Sequence, residues 1–226
     1  MPVLRTVIQD THQKLEAAGI PDARLEAEVL VMNVMRMARE NIFGGQDTEV
    51  SEQQQTALDE LLERRYNREP LAYLLGQREF YGINVILTPA VLIPRPETEG
   101  LVEHALFMAL MGMESTDMII TDVGTGSGAI AINLAIHLPA AKIFAVDVAD
   151  EGLDVAAFNI RAHGVSERVT LGIGDLLEPV PEPIDLIVAN LPYIPTDRIS
   201  TLQPEVQQEP ALALDGGPDG LDLIRR

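Results

Sequence analysis

The stretch Met118-Ile119-Ile120-Thr121-Asp122-Val123-Gly124-Thr125-Gly126-Ser127-Gly128-Ala129 decides the fold. Its first six residues are mostly apolar and β-branched, as in a buried strand, and the three glycines then end the run. From Ser127 to Leu138 the apolar residues continue over a length that suits a helix. Working outward, the pattern predicts strands over 118–123, 142–146, 168–172 and 184–189, with helices over 127–138 and 150–163. Strands that alternate with helices make βαβ units, so the region is α/β with a parallel, doubly wound sheet.

The first 75 residues have a different texture. Val3, Leu4, Val7, Ile8 and Leu15 recur at helical spacing until Gly19 stops them. A second helix follows Pro21-Asp22 with Leu25, Val29, Leu30, Val34 and Met35 as its apolar residues. Ser51 with Gln54 three residues on is a capping-box signature. It opens a third helix through Leu58, Leu61 and Leu62 to about Asn67, and a short fourth with Leu71 and Leu74 follows Pro70. This is a small helical bundle with no catalytic constellation of its own. Phe80 to Leu87 reads as a hairpin, followed by the turn Leu92-Ile93-Pro94-Arg95-Pro96 and a helix from Glu97 to about Met111. The chain thus divides into a helical domain 1–75, a hairpin linker 76–96 and an α/β domain 97–226.

Composition narrows the chemistry. With no cysteine among 226 residues, disulfides, thiolate zinc sites and cysteine nucleophiles are excluded. His12, His104, His137 and His163 have no paired metal spacing, so a metal site is not expected. No apolar run reaches the roughly 18 residues of a membrane span. No basic-then-apolar leader opens the sequence, and the expected compartment is the cytoplasm. The net charge of −19 disfavours direct nucleic-acid binding, which depends on Lys and Arg displacing counterions. The basic cluster Arg64, Arg65 and Arg68 is expected on a solvated helix face.

The glycine turn points to a nucleoside ligand. Its glycines let a ligand lie against the backbone, and Asp147 closes the next strand about 20 residues further on, where an acid can bond a ribose. This does not decide between NAD and S-adenosylmethionine, because Gly124-x-Gly126-x-x-Ala129 also fits the dinucleotide pattern. The decision rests on Asn190-Leu191-Pro192-Tyr193, which follows the fourth strand and so lies at the same sheet edge. An amide or ring-amine nitrogen is a poor nucleophile because its lone pair is delocalised. The Asn190 side-chain oxygen and the Leu191 carbonyl could each accept one N–H of a planar NH₂ group and aim its nitrogen. Pro192 would hold the turn, and Tyr193 could stack on the planar group. These are catalytic and substrate-binding candidates for nitrogen methylation.

With those residues quoted, the sequence resembles the protein-(glutamine-N5) methyltransferases of the HemK/PrmC family. The likeness runs through the helical domain, Arg78-Glu79-Phe80-Tyr81-Gly82, Pro94-Arg95-Pro96-Glu97-Thr98-Glu99, the glycine turn, Asp147, Asp175 and the Asn190 motif. It implies a Rossmann-like class I methyltransferase domain that uses S-adenosylmethionine to methylate the glutamine of the Gly-Gly-Gln loop in peptide-chain release factors. By that likeness Gly124, Thr125, Gly126, Ser127 and Gly128 line the methionine and ribose part of the cofactor, and Asp147 holds the ribose. Asp175 and Leu176 flank the adenine, with Asn190 at the methyl end. Asn190, Leu191, Pro192 and Tyr193 grip the glutamine amide, and the helical domain docks the release factor.

Two departures matter. Leu191 stands where the family more often has proline, and Asn-Leu-Pro-Tyr is also similar to the motif of ribosomal-RNA adenine dimethyltransferases. A nucleic-acid adenine methyltransferase therefore stays open as an alternative. The family pattern also continues beyond Arg226 with another helix and further strands, so the sheet is expected to be incomplete. A catalytically impaired fragment that only binds a release factor is the remaining alternative.

Overall fold

The computed structural model describes residues 1–112, 118–181 and 183–226, which fall into two units, Met1–Leu75 and Gly76–Arg226. The first unit contains helices α1 (Leu4–Ala17), α2 (Ala23–Met35), α3 (Arg39–Gly44), α4 (Glu52–Tyr66) and α5 (Leu71–Leu75). The helix spacing read from sequence holds for α1, α2, α4 and α5. At the start of α4 the Gln54 N–H donates to Ser51 Oγ at 3.3 Å, and the Ser51 N–H donates to Gln54 Oε1 at 2.9 Å. This reciprocal pair satisfies two donors that a helix start leaves free. Leu4, Leu15, Leu30, Leu58 and Leu62 interlock in the core, each contributing about 1.5–3 kcal/mol by burial.

Three features differ from expectation. Helix α3 lies in a stretch with no clear apolar period. Leu25 is half-exposed, because α2 packs through Ala23, Ala27, Leu30 and Val31 instead. The arginine cluster is a solvated face only at Arg64. Arg65 is 3% exposed and grips Glu26 with Nε and Nη2, at 2.7 and 3.1 Å. Arg68 donates to the Ala18 and Gly19 carbonyls at the end of α1, and Arg64 pairs with Glu69.

The second unit opens with the antiparallel hairpin β1 (Gln77–Phe80) and β2 (Ile83–Ile86), followed by α6 (Pro96–Gly112). The segment read as a hairpin linker is built into this unit. Ile86 exchanges hydrogen bonds with Asn159, and the His163 ring nitrogen Nε2 contacts the Asn84 carbonyl at 2.8 Å. Then come β3 (Ile119–Val123), α7 (Ala129–His137), β4 (Lys142–Asp147), α8 (Asp150–Ala162), β5 (Val169–Ile173) and β6 (Leu186–Ala189). The sheet runs β5-β4-β3-β6 with every pair parallel. Ile120 and Ile143 of the sheet and Ile132 and Leu134 of α7 are fully buried.

The chain winds from β3 outward to β5, then crosses back to place β6 on the other side of β3. The order reverses between β3 and β6, and ligands of such sheets bind outside the strand ends at that point. Val123 and Ala189 are partners in the ladder, so the turns beginning at Gly124 and Asn190 leave the sheet side by side. After β6 the chain makes short 3₁₀ turns over Thr196–Thr201, Val206–Gln208 and Ala211–Ala213.

Candidate active site

A cavity of about 360 Å³ sits over those two turns. Its floor is Gly124, Thr125, Gly126 and Ser127, and one wall is Asp147, Val148, Ala149 and Gly152. Val91, Leu92, Pro94 and Thr98 close one side, Asn190, Leu191 and Pro192 another, and Leu212 and Ala213 a third. The volume lies within the roughly 300–1,000 Å³ of small-molecule sites, and a mostly apolar wall with few polar groups is their usual character.

The glycine turn is shaped from below. Gly124, Gly126 and Gly128 have φ of +73°, +52° and +81°, a region other residues enter only with strain. The Gly124 and Thr125 N–H groups both donate to the Val146 carbonyl at 2.9 Å, which draws the turn onto β4. Gly128 caps α7, and a Cβ there would stand 3.4 Å from Ala156 Cβ of α8. Gly128 therefore does not line the cavity, unlike the other residues of the turn. Its part is to bring α7 close to α8.

Two carboxylates hold this turn from opposite sides. Asp147 accepts the Gly126 N–H at 2.8 Å with Oδ2 and the Ala149 N–H at 3.0 Å with Oδ1, so it is fixed at the cavity wall. Asp122 is fully buried beneath the turn. Its Oδ2 accepts Thr125 Oγ1–H at 2.6 Å and the Ala131 N–H at 3.2 Å, while Oδ1 has no partner among the described residues. Burial pushes the Asp122 carboxyl up to about 6, against the lowering effect of its two hydrogen bonds, and the nearby Asp147 adds to the rise. In the sequence Asp122 looks like an ordinary strand residue.

Of the expected adenine-side residues, Asp175 and Leu176 both line the cavity. Leu176 has φ +53°, and Asp175 Oδ2 accepts from Arg226 Nη2 at 2.5 Å.

At the Asn190 turn, Asn190 Nδ2 donates to Thr98 Oγ1 at 3.4 Å. Neither Asn190 Oδ1 nor the Leu191 carbonyl takes a hydrogen bond from another described residue. Leu191 packs on the glycine turn, with its Cδ2 3.4 Å from where a Gly124 Cβ would be. Tyr193 is 62% exposed and does not line the cavity. It borders an adjoining depression together with Asp175, Leu176, Asn190 and Leu191. The turn is held from behind by a returning strand of backbone, in which Ile194 N–H donates to the Leu214 carbonyl and Gly216 N–H to the Ile194 carbonyl.

Two further residues went unrecognised in the sequence. Glu209 is 5% exposed, accepts the Ile93 N–H at 3.0 Å and pairs with Arg95. Asn159, fully buried on α8, bonds the Ser127 carbonyl at 2.9 Å.

A glycine turn at the switch point of a parallel α/β sheet, with an acid at the end of the next strand, makes a Rossmann-like nucleoside site, and likeness to known proteins places it in the class I methyltransferase fold, whose members in general use S-adenosylmethionine. The hMettl16 catalytic domain shares that fold, with a TM-score of 0.51 at 18% identity over 71% of this chain and 60% of its own. Residues 6–76 match the family model of the PrmC N-terminal domain, and residues 104–213 match that of ribosomal protein L11 methyltransferase (PrmA). The release factor glutamine methyltransferase of Moorella thermoacetica is 43% identical over 223 residues, covering 98% of this chain and 78% of its own length. That of Geobacter sulfurreducens is 42% identical over 224 residues, with 98% and 76% covered. The chain belongs to the release factor glutamine methyltransferase family.

Proposed function

We propose that this chain transfers a methyl group from S-adenosylmethionine to the side-chain nitrogen of the glutamine in the Gly-Gly-Gln motif of peptide-chain release factors. The observation that carries this reading is a pair of acceptors, Asn190 Oδ1 and the Leu191 carbonyl, that take no hydrogen bond among the described residues and belong to residues lining the glycine-turn cavity. A primary amide has two N–H donors in one plane, and two acceptors on neighbouring residues suit that group. The alternative of a nucleic-acid substrate is not favoured, since a net charge of −19 repels a polyanion.

The residues present fit the cofactor. The cavity has apolar walls for its nucleoside and two carboxylates, Asp147 and Asp175, for hydroxyl and amine donors. When bound, S-adenosylmethionine supplies an electron-poor methyl carbon on a good leaving group. Asp147 orients the ribose side, and the turn from Gly124 to Ser127 receives the rest without Cβ collisions. Asp175 and Leu176 border the base.

The chain's own work on the substrate is alignment. With both amide N–H groups accepted, the nitrogen is fixed and made more electron-rich, and its lone pair faces the cavity. Positioning of this kind can supply on the order of 7–11 kcal/mol. Leu191 serves in place of proline because the position contributes its carbonyl, while its side chain seals the glycine turn. Pro192 holds the turn and Tyr193 covers the incoming group from the adjoining depression. The helical unit docks the release factor, and the setting is cytoplasmic. Among the described residues no helix is long and apolar enough to cross a membrane.

Transfer of label from S-adenosylmethionine to a purified release factor, beside a factor whose Gly-Gly-Gln glutamine is replaced, tests this reading. Label on the unaltered factor alone is expected. Equal label on both, or none on either, contradicts it.

A further inference from the structure

Helix α8 backs the cavity and its glycine turn through one stripe. Gly152, Ala156 and Asn159 stand at i, i+4 and i+7, the spacing that puts residues on a single helix face. Gly152 lies against Val91, 3.6 Å from its would-be Cβ, and Ala156 lies under Gly128 at 3.4 Å. Asn159 makes the polar contact of the stripe. Its Nδ2 donates to the Ser127 carbonyl at 2.9 Å and to the Ile86 carbonyl at 3.0 Å, and its Oδ1 accepts the Ile86 N–H at 2.9 Å.

That arrangement needs an amide. Two carbonyls require two donors and one N–H requires an acceptor, all from a single short side chain with no exposure to water. An aspartate would set its charge against two carbonyl oxygens, and an apolar residue would leave the buried Ser127 carbonyl and two part-buried Ile86 backbone groups without this partner. The bonds also join two segments with different tasks. Ser127 belongs to the turn that floors the cavity, whereas Ile86 ends hairpin strand β2 and does not line the cavity.

We propose that Asn159 is a positioning residue for cofactor binding, which locks the Ser127 carbonyl and so holds the glycine turn in its receiving shape against hairpin strand β2. This rests on the cavity being the cofactor site. Bound cofactor and Ile86 are thereby coupled, although Ile86 does not line the cavity, which the hairpin meets at Phe80. Ordering of the turn by a ligand tightens Asn159, and Asn159 tightens Ile86.

The test combines calorimetric affinity for S-adenosylhomocysteine with amide hydrogen exchange. Asn159→Asp is expected to weaken binding about ten-fold, the scale of one orphaned buried acceptor. Ile143→Val, a core change in β4 away from the stripe, is expected to lower the melting temperature and leave affinity unchanged. In the unaltered protein, S-adenosylhomocysteine is expected to slow exchange at the Ile86 amide beyond any slowing shared by β3, β4 and the rest of the hairpin, which meets the cavity at Phe80. That measurement decides the matter even if Asn159→Asp does not fold. Wild-type affinity in a folded Asn159→Asp, or an Ile86 amide that follows only the general slowing, overturns the proposal. Asp147→Ala separates the two layers. If it too binds normally, the cofactor-site reading itself has failed.

Discussion

Arg95 and Glu209 form an ion pair behind the cavity lining, and the second oxygen of Glu209 accepts the Ile93 N–H at 3.0 Å. The pair joins the Pro94-Arg95-Pro96 turn to the segment that carries Pro210, Leu212 and Ala213, so two cavity walls are tied by one carboxylate. Glu209→Ala leaves the Ile93 N–H buried and unpaired and frees a guanidinium. The expected loss of stability is about 3 kcal/mol, the lower end for a buried pair, because Arg95 keeps 30% of its side-chain surface in water. Glu209→Gln keeps an acceptor for Ile93 and is expected to lose less. Denaturant unfolding of both variants checks the order.

Gly216 lies on the backbone of the Asn190 turn. A Cβ there would stand 2.8 Å from both the Pro192 carbonyl oxygen and Tyr193 Cα, and 2.7 Å from the Gly220 carbonyl oxygen. All three are backbone atoms, so the turn itself must shift. Gly216→Ala is expected to lower kcat for methyl transfer while S-adenosylhomocysteine affinity stays near that of the unaltered protein. An equal loss of cofactor affinity would place the strain elsewhere.

Asp122 gives the fold a pH dependence of definite sign. Its carboxyl is raised from 3.8 to about 6 in the folded chain, chiefly by burial, so the folded state holds the proton more tightly than the unfolded one. The stability this contributes is fully present below the ordinary value and is lost as pH rises through about 6. Asp122→Asn cannot titrate. The stability of the unaltered protein minus that of the variant is expected to fall as pH rises from about 4 to about 6 and to level off above, read by unfolding at each pH.

What the sequence made legible follows from which physical signals are local. Strand, glycine turn and helix around Gly124 are written in adjacent residues, and Ser51 with Gln54 is a cap within one turn. The order β5-β4-β3-β6 puts Asn190 beside Gly124, as the position of both at strand ends suggested. Long-range satisfaction was not legible. Glu209 sits in Gln207-Gln208-Glu209-Pro210, which reads as solvated surface until Arg95, 114 residues earlier, is placed against it. Asn159 looks like the polar face of an amphipathic helix, and Arg65 like a solvated cation, because their partners are far along the chain. Leu25 misled for the opposite reason. Helix α2 meets its neighbours through Ala23, Ala27, Leu30 and Val31, so Leu25 is left outside that face. Tyr193 is the aromatic residue of the Asn190 motif, yet its exposure puts it at the border of the site rather than within its wall.

The most direct measurement is the chemical position of the methyl group on a release factor after reaction, found by fragmenting the product in a mass spectrometer, for the unaltered chain and for Asn190→Ala. The expected result is a methyl on the side-chain nitrogen of the Gly-Gly-Gln glutamine, formed about a hundred-fold more slowly by the variant. A methyl on any other atom, or undiminished transfer without the Asn190 side chain, would contradict the proposed role of that turn.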